Sequence, residues 1–296
     1  MRKRGIKISF FDLFNITFMV LMMFVMLIPF WYSVVGSFND GSDYIRGGVY
    51  FWPREFTLSN YKAVFRDKTI LSSFLVTVFK SLIGSFSSLL VTSLAAYAIS
   101  RRQLKFKRFY TPFLMIPMYF GGGLIPFFVL IKSLGLYNNF LVYILPGLFS
   151  VWNMIIIRSF FAELPVGLIE SAQIDGAGEY CIFFRIVMPL SKAVIAAILL
   201  FSLVEHWNSY FDSMMYTSSE NLQTIQLFLK KVITDPGAAS SLSSQALQQI
   251  PEAARKTTPQ TIKLAAMVVT AVPIICVYPF LQKHFAKGVM IGSVKG

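Results

Sequence analysis

Between two strongly apolar segments the chain reads Leu164-Pro165-Val166-Gly167-Leu168-Ile169-Glu170-Ser171-Ala172-Gln173-Ile174-Asp175-Gly176-Ala177-Gly178, and runs on through Ile186 to Met188-Pro189. Leu164, Leu168 and Ala172 recur at i, i+4 and i+8, one face of a helix. Pro165 suits the first turn of that helix, where its missing N–H costs nothing. Asp175-Gly176 marks the stop, because Gly accepts the left-handed conformation that ends a helix. A second short helix is expected from about Glu179 until Pro189 breaks it. The stretch predicts a bent helical pair held at a membrane surface, presenting one small apolar knob.

The surrounding chain is apolar. Of its 296 residues 55% are hydrophobic and 14% charged, and the mean hydropathy is +0.63. A soluble domain carries about a quarter charged residues, so an all-α integral membrane protein with lipid around it is expected. The net charge of +13 raises nucleic acid as a partner. The basic residues form no single patch, however. They gather at the ends of apolar segments, as the positive-inside rule would place them, so no nucleic acid is expected. Two cysteines, Cys181 and Cys276, exclude a disulfide framework. Met1-Arg2-Lys3-Arg4 resembles the charged start of a signal peptide. The apolar run after it is about 20 residues long and lacks a small-x-small cleavage site, so it reads as a retained first span.

Six segments are long enough to cross a hydrocarbon core, which needs about 20 apolar residues: 14–35, 72–99, 109–131, 139–157, 192–215 and 262–282. Each is continuously apolar and longer than the ~10-residue strands of a barrel, so helices are expected. Pro112, Pro117, Pro126 and Gly121-Gly122-Gly123 interrupt the third. Orientation follows from Lys and Arg on short segments. With the N-terminus inside, Arg2, Lys3, Arg4, Lys7, then Arg101, Arg102, Lys105, Lys107, Arg108, then Arg158, Arg185, Lys192, then Lys283, Lys287, Lys295 all face the cytoplasm. The remaining basic residues are spread mostly over two long outer loops, which count for little. The quoted stretch therefore lies on the cytoplasmic side, between the fourth and fifth spans. The expected organisation is 1–71 (N-terminal segment, first span and outer loop), 72–282 (membrane core) and 283–296 (cytoplasmic tail).

The quoted stretch resembles the coupling loop of ABC importer permeases, whose motif reads E-A-A, three residues, G, nine residues, I-x-L-P. Glu170-Ser171-Ala172, Gly176, Ile186 and Met188-Pro189 keep every spacing, with Ser171 in place of the first Ala and Met188 in place of the Leu. The resemblance extends to Ala95-Ala96-Tyr97-Ala98-Ile99-Ser100-Arg101, Gly122-Gly123-Leu124-Ile125-Pro126, Leu134-Gly135-Leu136-Tyr137 and Glu205-His206-Trp207-Asn208. The tail from Lys287 to Gly296 resembles that of the maltose-type inner-membrane subunit, and the branch handling complex oligosaccharides, such as an alginate importer, fits best. Together these motifs cover most of 70–296.

The resemblance implies a bacterial cell-membrane permease subunit with both termini cytoplasmic. It would work with a second homologous permease, two cytoplasmic ATPase subunits that carry ATP-Mg, and an extracellular or periplasmic sugar-binding protein. The chain itself would bind no cofactor and catalyse nothing. Glu170, Ser171, Ala172, Asp175, Gly176, Ala177, Gly178 and Pro189 would form the ATPase contact, with Lys287, Gly288, Gly292 and Lys295 of the tail. A small residue at 172 beside Gly176 would let the helix end sit deep in a groove, while Glu170 and Asp175 would offer carboxylates to partner Arg or Lys.

Four titratable residues fall within the spans: Lys80, Glu205, His206 and Asp212. Intramembrane charge is costly and usually faces a cavity or a partner. At ~1.5 Å per residue, Lys80 is ~14 Å from the outer start of its span and Glu205 ~20 Å from the inner start of its own. The two thus lie near one depth. Either they pair, or Glu205, Asn208 and Asp212 bond sugar hydroxyls while Lys80 favours an acidic sugar. Trp207 and Tyr210 offer rings on which sugar C–H faces can pack, or else belong to an interfacial belt.

No G-x-x-x-x-G-K-[ST], H-E-x-x-H, C-x-x-C or G-x-S-x-G is present, so ATP binding by a phosphate loop is excluded. His206 and His284 are too few and too far apart for a metal site. No internal repeat supports a secondary transporter. Glu205 and Asp212, seven residues apart, make a poor pair for a glycan hydrolase. A permease of the same type for another solute remains the alternative.

Overall fold

A computed structural model describes residues 10–235, 237–238, 240 and 257–292, the side chains at 278 and 280–292 excepted. The basic N-terminal residues, the loop 241–256 and Lys295 lie outside the described residues. Lys287, Gly288 and Gly292 lie on a described helix whose side chains there are not.

Among the described residues the architecture is helical. Only an isolated antiparallel bridge, Asn39 to Phe56, is extended. Three helices are each long and apolar enough to cross a bilayer: α1 (Phe10–Ser37), α4 (Lys68–Ser100) and the first 19 residues, Pro259–Val277, of a C-terminal helix that continues to Gly292. The third expected span is broken into α5 (Lys107–Tyr119) and α6 (Leu124–Ser133), bent by 111° at residues 120–123. Three glycines in a row leave no side chain to hold a helical turn there.

Two expected spans need correction. The fourth does not run over 139–157. A 3₁₀ turn, Phe140–Tyr143, leads into irregular chain through Pro146-Gly147, and α7 (Val151–Ala162) begins only at the Ser150 cap, whose Oγ accepts from Asn153 N–H at 3.3 Å. The fifth stops short of 215. Helix α11 (Lys192–Asn208) ends before an extended Ser209, and α12 (Phe211–Tyr216) starts afresh. Ser209 gives its hydroxyl to Asp212 Oδ2 at 2.8 Å, a local bond that competes with helical pairing.

The chain forms two compact units. One comprises residues up to Asp67 with Lys231–Val269, the other Lys68–Lys230 with Thr270 onward. In the first, the end of α1 is tied to α2 (Gly41–Ile45) and α3 (Ser59–Arg66) by buried polar groups. Asn60 Nδ2 donates to the carbonyls of Ser37 and Asn39, at 2.9 Å each, and Asn60 Oδ1 accepts from Thr261 Oγ1 at 2.8 Å.

In the second unit α4 is packed by α7 and α11. Its buried face carries Ser81, Gly84, Ser85, Ser88, Ser93 and Ala96. Small residues let helices approach closely where lipid removes the hydrophobic drive between them. A Cβ at Gly84 would lie 2.5 Å from the His206 ring. The apolar core joins Leu89, Ala96, Tyr97 and Ile99 of α4 to Met154, Ile157 and Phe161 of α7 and Val194 and Ile198 of α11.

Candidate functional site

The loop after α7 forms the expected pair of short helices. Helix α8 (Val166–Ile174) starts after Pro165, which occupies its capping position. It closes with Gly176 N–H on Gln173 C=O at 3.0 Å and Ala177 N–H on Ala172 C=O at 2.9 Å. Those two bonds require a left-handed residue between them, and Gly176 has φ +80°. Gly178 leads into α9 (Glu179–Ile182). The helix then widens into a π turn, Phe183–Val187, and continues as α10 (Met188–Leu190). Pro189 therefore does not end the second helix. The wider turn just before it accommodates a residue with no N–H to give. The chain bends by 85° into α11 one residue further on, at Ser191.

The exposed knob is not Ala172. That residue is 9% exposed and packs with Ile169, Phe161 and Phe183 in the core. Ile169 and Ala172, three apart, share the inward face, which turns Leu168 and Ile174 outward. Ile174, 86% exposed, is the apolar side chain that stands out, and Tyr180 of α9 is exposed as well. Glu170, Ser171, Asp175, Gly176 and Gly178 are exposed around it, while Ala177 is half-buried.

One residue of this loop was not singled out by its sequence. The Glu179 carboxylate accepts from Tyr97 Oη at 2.5 Å, from Arg101 Nη2 at 3.2 Å and from Gln173 Nε2 at 3.1 Å. The Tyr97 hydroxyl, then Arg101, hold this carboxyl below the usual carboxylate range against the opposing pull of burial. Tyr97 and Arg101 are four apart, one helical face, and an acidic residue opening a nearby helix was the available signal.

The same unit contains a cavity of about 400 Å³. It is lined by Lys80 and Ser88 of α4, Tyr143, Gly147, Ser150 and Asn153 around the start of α7, Ser202, Glu205 and His206 of α11, and Ser209, Asp212 and Tyr216 beyond it. Lys80, 1% exposed, donates to the Ser209 carbonyl at 3.2 Å and pairs with Asp212 at 3.5 Å. Its Nζ also sits 4.8 Å from the centre of the Tyr143 ring. Lys80 thus pairs with Asp212 and not, as depth alone suggested, with Glu205. The break after Asn208 explains the difference, because it carries Asp212 round to the lysine. His206 joins the lining with Nδ1 held 2.9 Å from Ser202 C=O.

The remaining expected residues lie elsewhere. Trp207 is buried, donates to Thr270 C=O at 3.2 Å and lines a separate apolar hollow with Phe74 and Pro273. Asn208 is exposed and accepts from Gln226. Tyr210 lies under Lys230, 4.3 Å from its ring centre. Among the described residues no three His, Cys, Asp or Glu side chains are placed to hold a metal ion.

A bundle of apolar helices around a polar cavity, with an exposed two-helix loop at one end, defines a membrane transport component. The chain belongs to the family of binding-protein-dependent transport system inner membrane components, whose profile matches residues 88–291. It is 38% identical to Protein LplC of Bacillus subtilis, over 97% of this chain and 95% of that one. It is 37% identical to the polygalacturonan/rhamnogalacturonan transport system permease protein YtcP of the same organism, over 98% and 100%. A solved structure of a bacterial ABC transporter involved in the import of the acidic polysaccharide alginate superposes with a TM-score of 0.87 at 27% identity, covering 96% of this chain and 100% of that one. The chain is accordingly an ABC importer permease, a multi-pass inner-membrane transport subunit and not an enzyme. As such it works with a partner permease, ATPase subunits and a binding protein.

Proposed function

We propose that this permease imports an oligosaccharide, and that the cavity between α4, α11 and α12 is its part of the sugar path. The observation that carries the reading is the lining: two carboxylates, a histidine and a run of hydroxyl groups gathered inside an apolar bundle. Such groups can bond sugar hydroxyls. Relatives named for polygalacturonan, arabinooligosaccharides and alginate support the substrate class. Among the described residues Glu205 forms no ion pair at salt-bridge distance, whereas Lys80 is engaged by Asp212 and so offers an acidic sugar little charge.

The coupling loop is proposed to face the cytoplasm, with both termini on that side, and to dock on an ATPase. Ile174 would be the apolar anchor and Glu170 and Asp175 its charged rim. Lys287, Gly288, Gly292 and Lys295 are proposed to join that interface. ATP-Mg would be held by the two ATPase subunits. Their closure on ATP would move the loop and turn the cavity outward, where the binding protein delivers sugar.

The test is ATP-driven uptake of neutral and uronic oligosaccharides by proteoliposomes containing the complete importer. Uptake that needs both ATP and binding protein, and that falls in Glu205→Gln with assembly intact, is expected. Wild-type uptake in Glu205→Gln would remove the cavity from the sugar path.

A further inference from the structure

We propose that Tyr50-Phe51-Trp52 is a foot that inserts into the membrane interface at the C-terminal end of α1. Three observations carry this. First, the segment is anchored to a membrane helix at a defined depth. Trp31 Nε1 donates to the Phe51 carbonyl at 3.1 Å, and the Trp31 and Trp52 rings meet edge-on with centroids 5.8 Å apart. Tyr32 contacts Tyr50 at 6.4 Å. The side chains of α1 are exposed from Phe10 through Tyr32, the pattern of a helix facing lipid. Phe11 to Trp31 spans about 30 Å of helix axis, the thickness of a hydrocarbon core. Trp31 and Tyr32 thus fall at its boundary, the depth favoured by amphipathic rings.

Second, the rings point away from protein. Phe51 is 76% exposed and Trp52 74%, an apolar outlay that water would not favour. Third, the segment is held in place on both sides. Val49 is buried before it, and Arg54 after it bonds Asp43 Oδ2 at 3.0 Å and the Gly47 carbonyl at 2.6 Å. The rings therefore cannot fold back into this unit without breaking those bonds. Lipid at the boundary is the occupant that depth and ring chemistry select.

The test uses the assembled importer in lipid nanodiscs, with Cys181→Ser and Cys276→Ser, and a nitroxide on Phe51→Cys or, as control, on Glu55→Cys. Molecular oxygen, which concentrates in lipid, should relax the label at 51 more strongly than a water-soluble nickel complex, and the ratio should invert at 55. A label at 51 that behaves like the one at 55, or that is shielded from both relaxants because another subunit covers it, would overturn the proposal. Neither result bears on whether the importer carries sugar.

Discussion

The Glu179 carboxylate is 2.5 Å from the Tyr97 hydroxyl, so the start of α9 is bonded directly to the end of the membrane helix α4. Arg101, just past the end of α4, reaches the same carboxylate. The loop proposed to meet the ATPase is therefore fastened to the helix that carries Lys80 in the cavity.

Breaking that fastening should separate ATP use from transport. Glu179→Gln and Tyr97→Phe should each lower uptake per ATP hydrolysed while the complex still assembles. The Glu179 side chain is about half exposed, although Tyr97 is buried, so each change should cost only about 1 kcal/mol of stability. The double variant should cost less than the sum, measured by melting of the purified complex. The Tyr97 hydroxyl and Arg101 hold the carboxyl below the usual carboxylate range. A depressed carboxyl contributes stability above its unfolded pKa and loses it as pH falls through the folded one. The link should thus be intact at neutral pH and be lost only in acid, below the range in which an ordinary carboxylate protonates.

Gly176→Pro should be more severe for coupling. Its φ of +80° is closed to proline, and its N–H bond to Gln173 would be lost. Strain of about 1–3 kcal/mol is expected at that turn. Membrane insertion should be normal and ATP-driven uptake lost. Normal uptake would sink the coupling-loop assignment.

Lys80 and Asp212 should behave as a pair. Asp212→Asn takes from a buried lysine its ion-pair partner and should lower complex stability, by less than a fully buried pair would because the Asp212 side chain is partly exposed. Lys80→Met should partly restore it in the double variant. Glu205→Gln should not be rescued by Lys80→Met, because Glu205 is outside the pair. Rescue of Glu205→Gln by Lys80→Met in a thermal melt would contradict the observed pairing.

Orientation can be read with an impermeant thiol reagent on intact cells, in a background with Cys181→Ser and Cys276→Ser. Both Glu55 and Ser171 are exposed. Glu55→Cys should label from outside and Ser171→Cys should not, as the basic short loops require. The reverse pattern would remove the ATPase contact from this loop.

Gly84→Ala should misplace His206, since the new methyl would lie 2.5 Å from the ring, which Ser202 already holds. Overpacking of this kind costs about 1–3 kcal/mol. His206→Ala should relieve it. A Gly84→Ala complex that melts like wild type would show that α4 and α11 are looser than described.

Helix chemistry made much of this legible in the sequence. Hydropathy gave the membrane class, and the Asp175-Gly176 stop gave the turn of the coupling loop to the residue. Depth counting set Lys80 and Glu205 at one level, and both line the cavity, but it did not find the lysine's ion pair with Asp212, which lies beyond a break in the helix. The break at Ser209 is made by a serine–aspartate bond and a lysine from 129 residues away, and no local pattern announces it. The sequence leaves Trp207 between a cavity wall and an interfacial belt, whereas its indole is buried and satisfies a carbonyl of the C-terminal helix. The inward turn of Ala172 depended on which of two overlapping faces, through Leu168 or through Ile169, had a core to meet.

The contact between Gly84 and His206 also limits how the cavity can change shape. Backbone already touches ring there, so α4 and α11 cannot draw closer at that level, and both helices border the cavity. A side chain at 84 larger than hydrogen would therefore have to push the two helices apart at the level of the cavity.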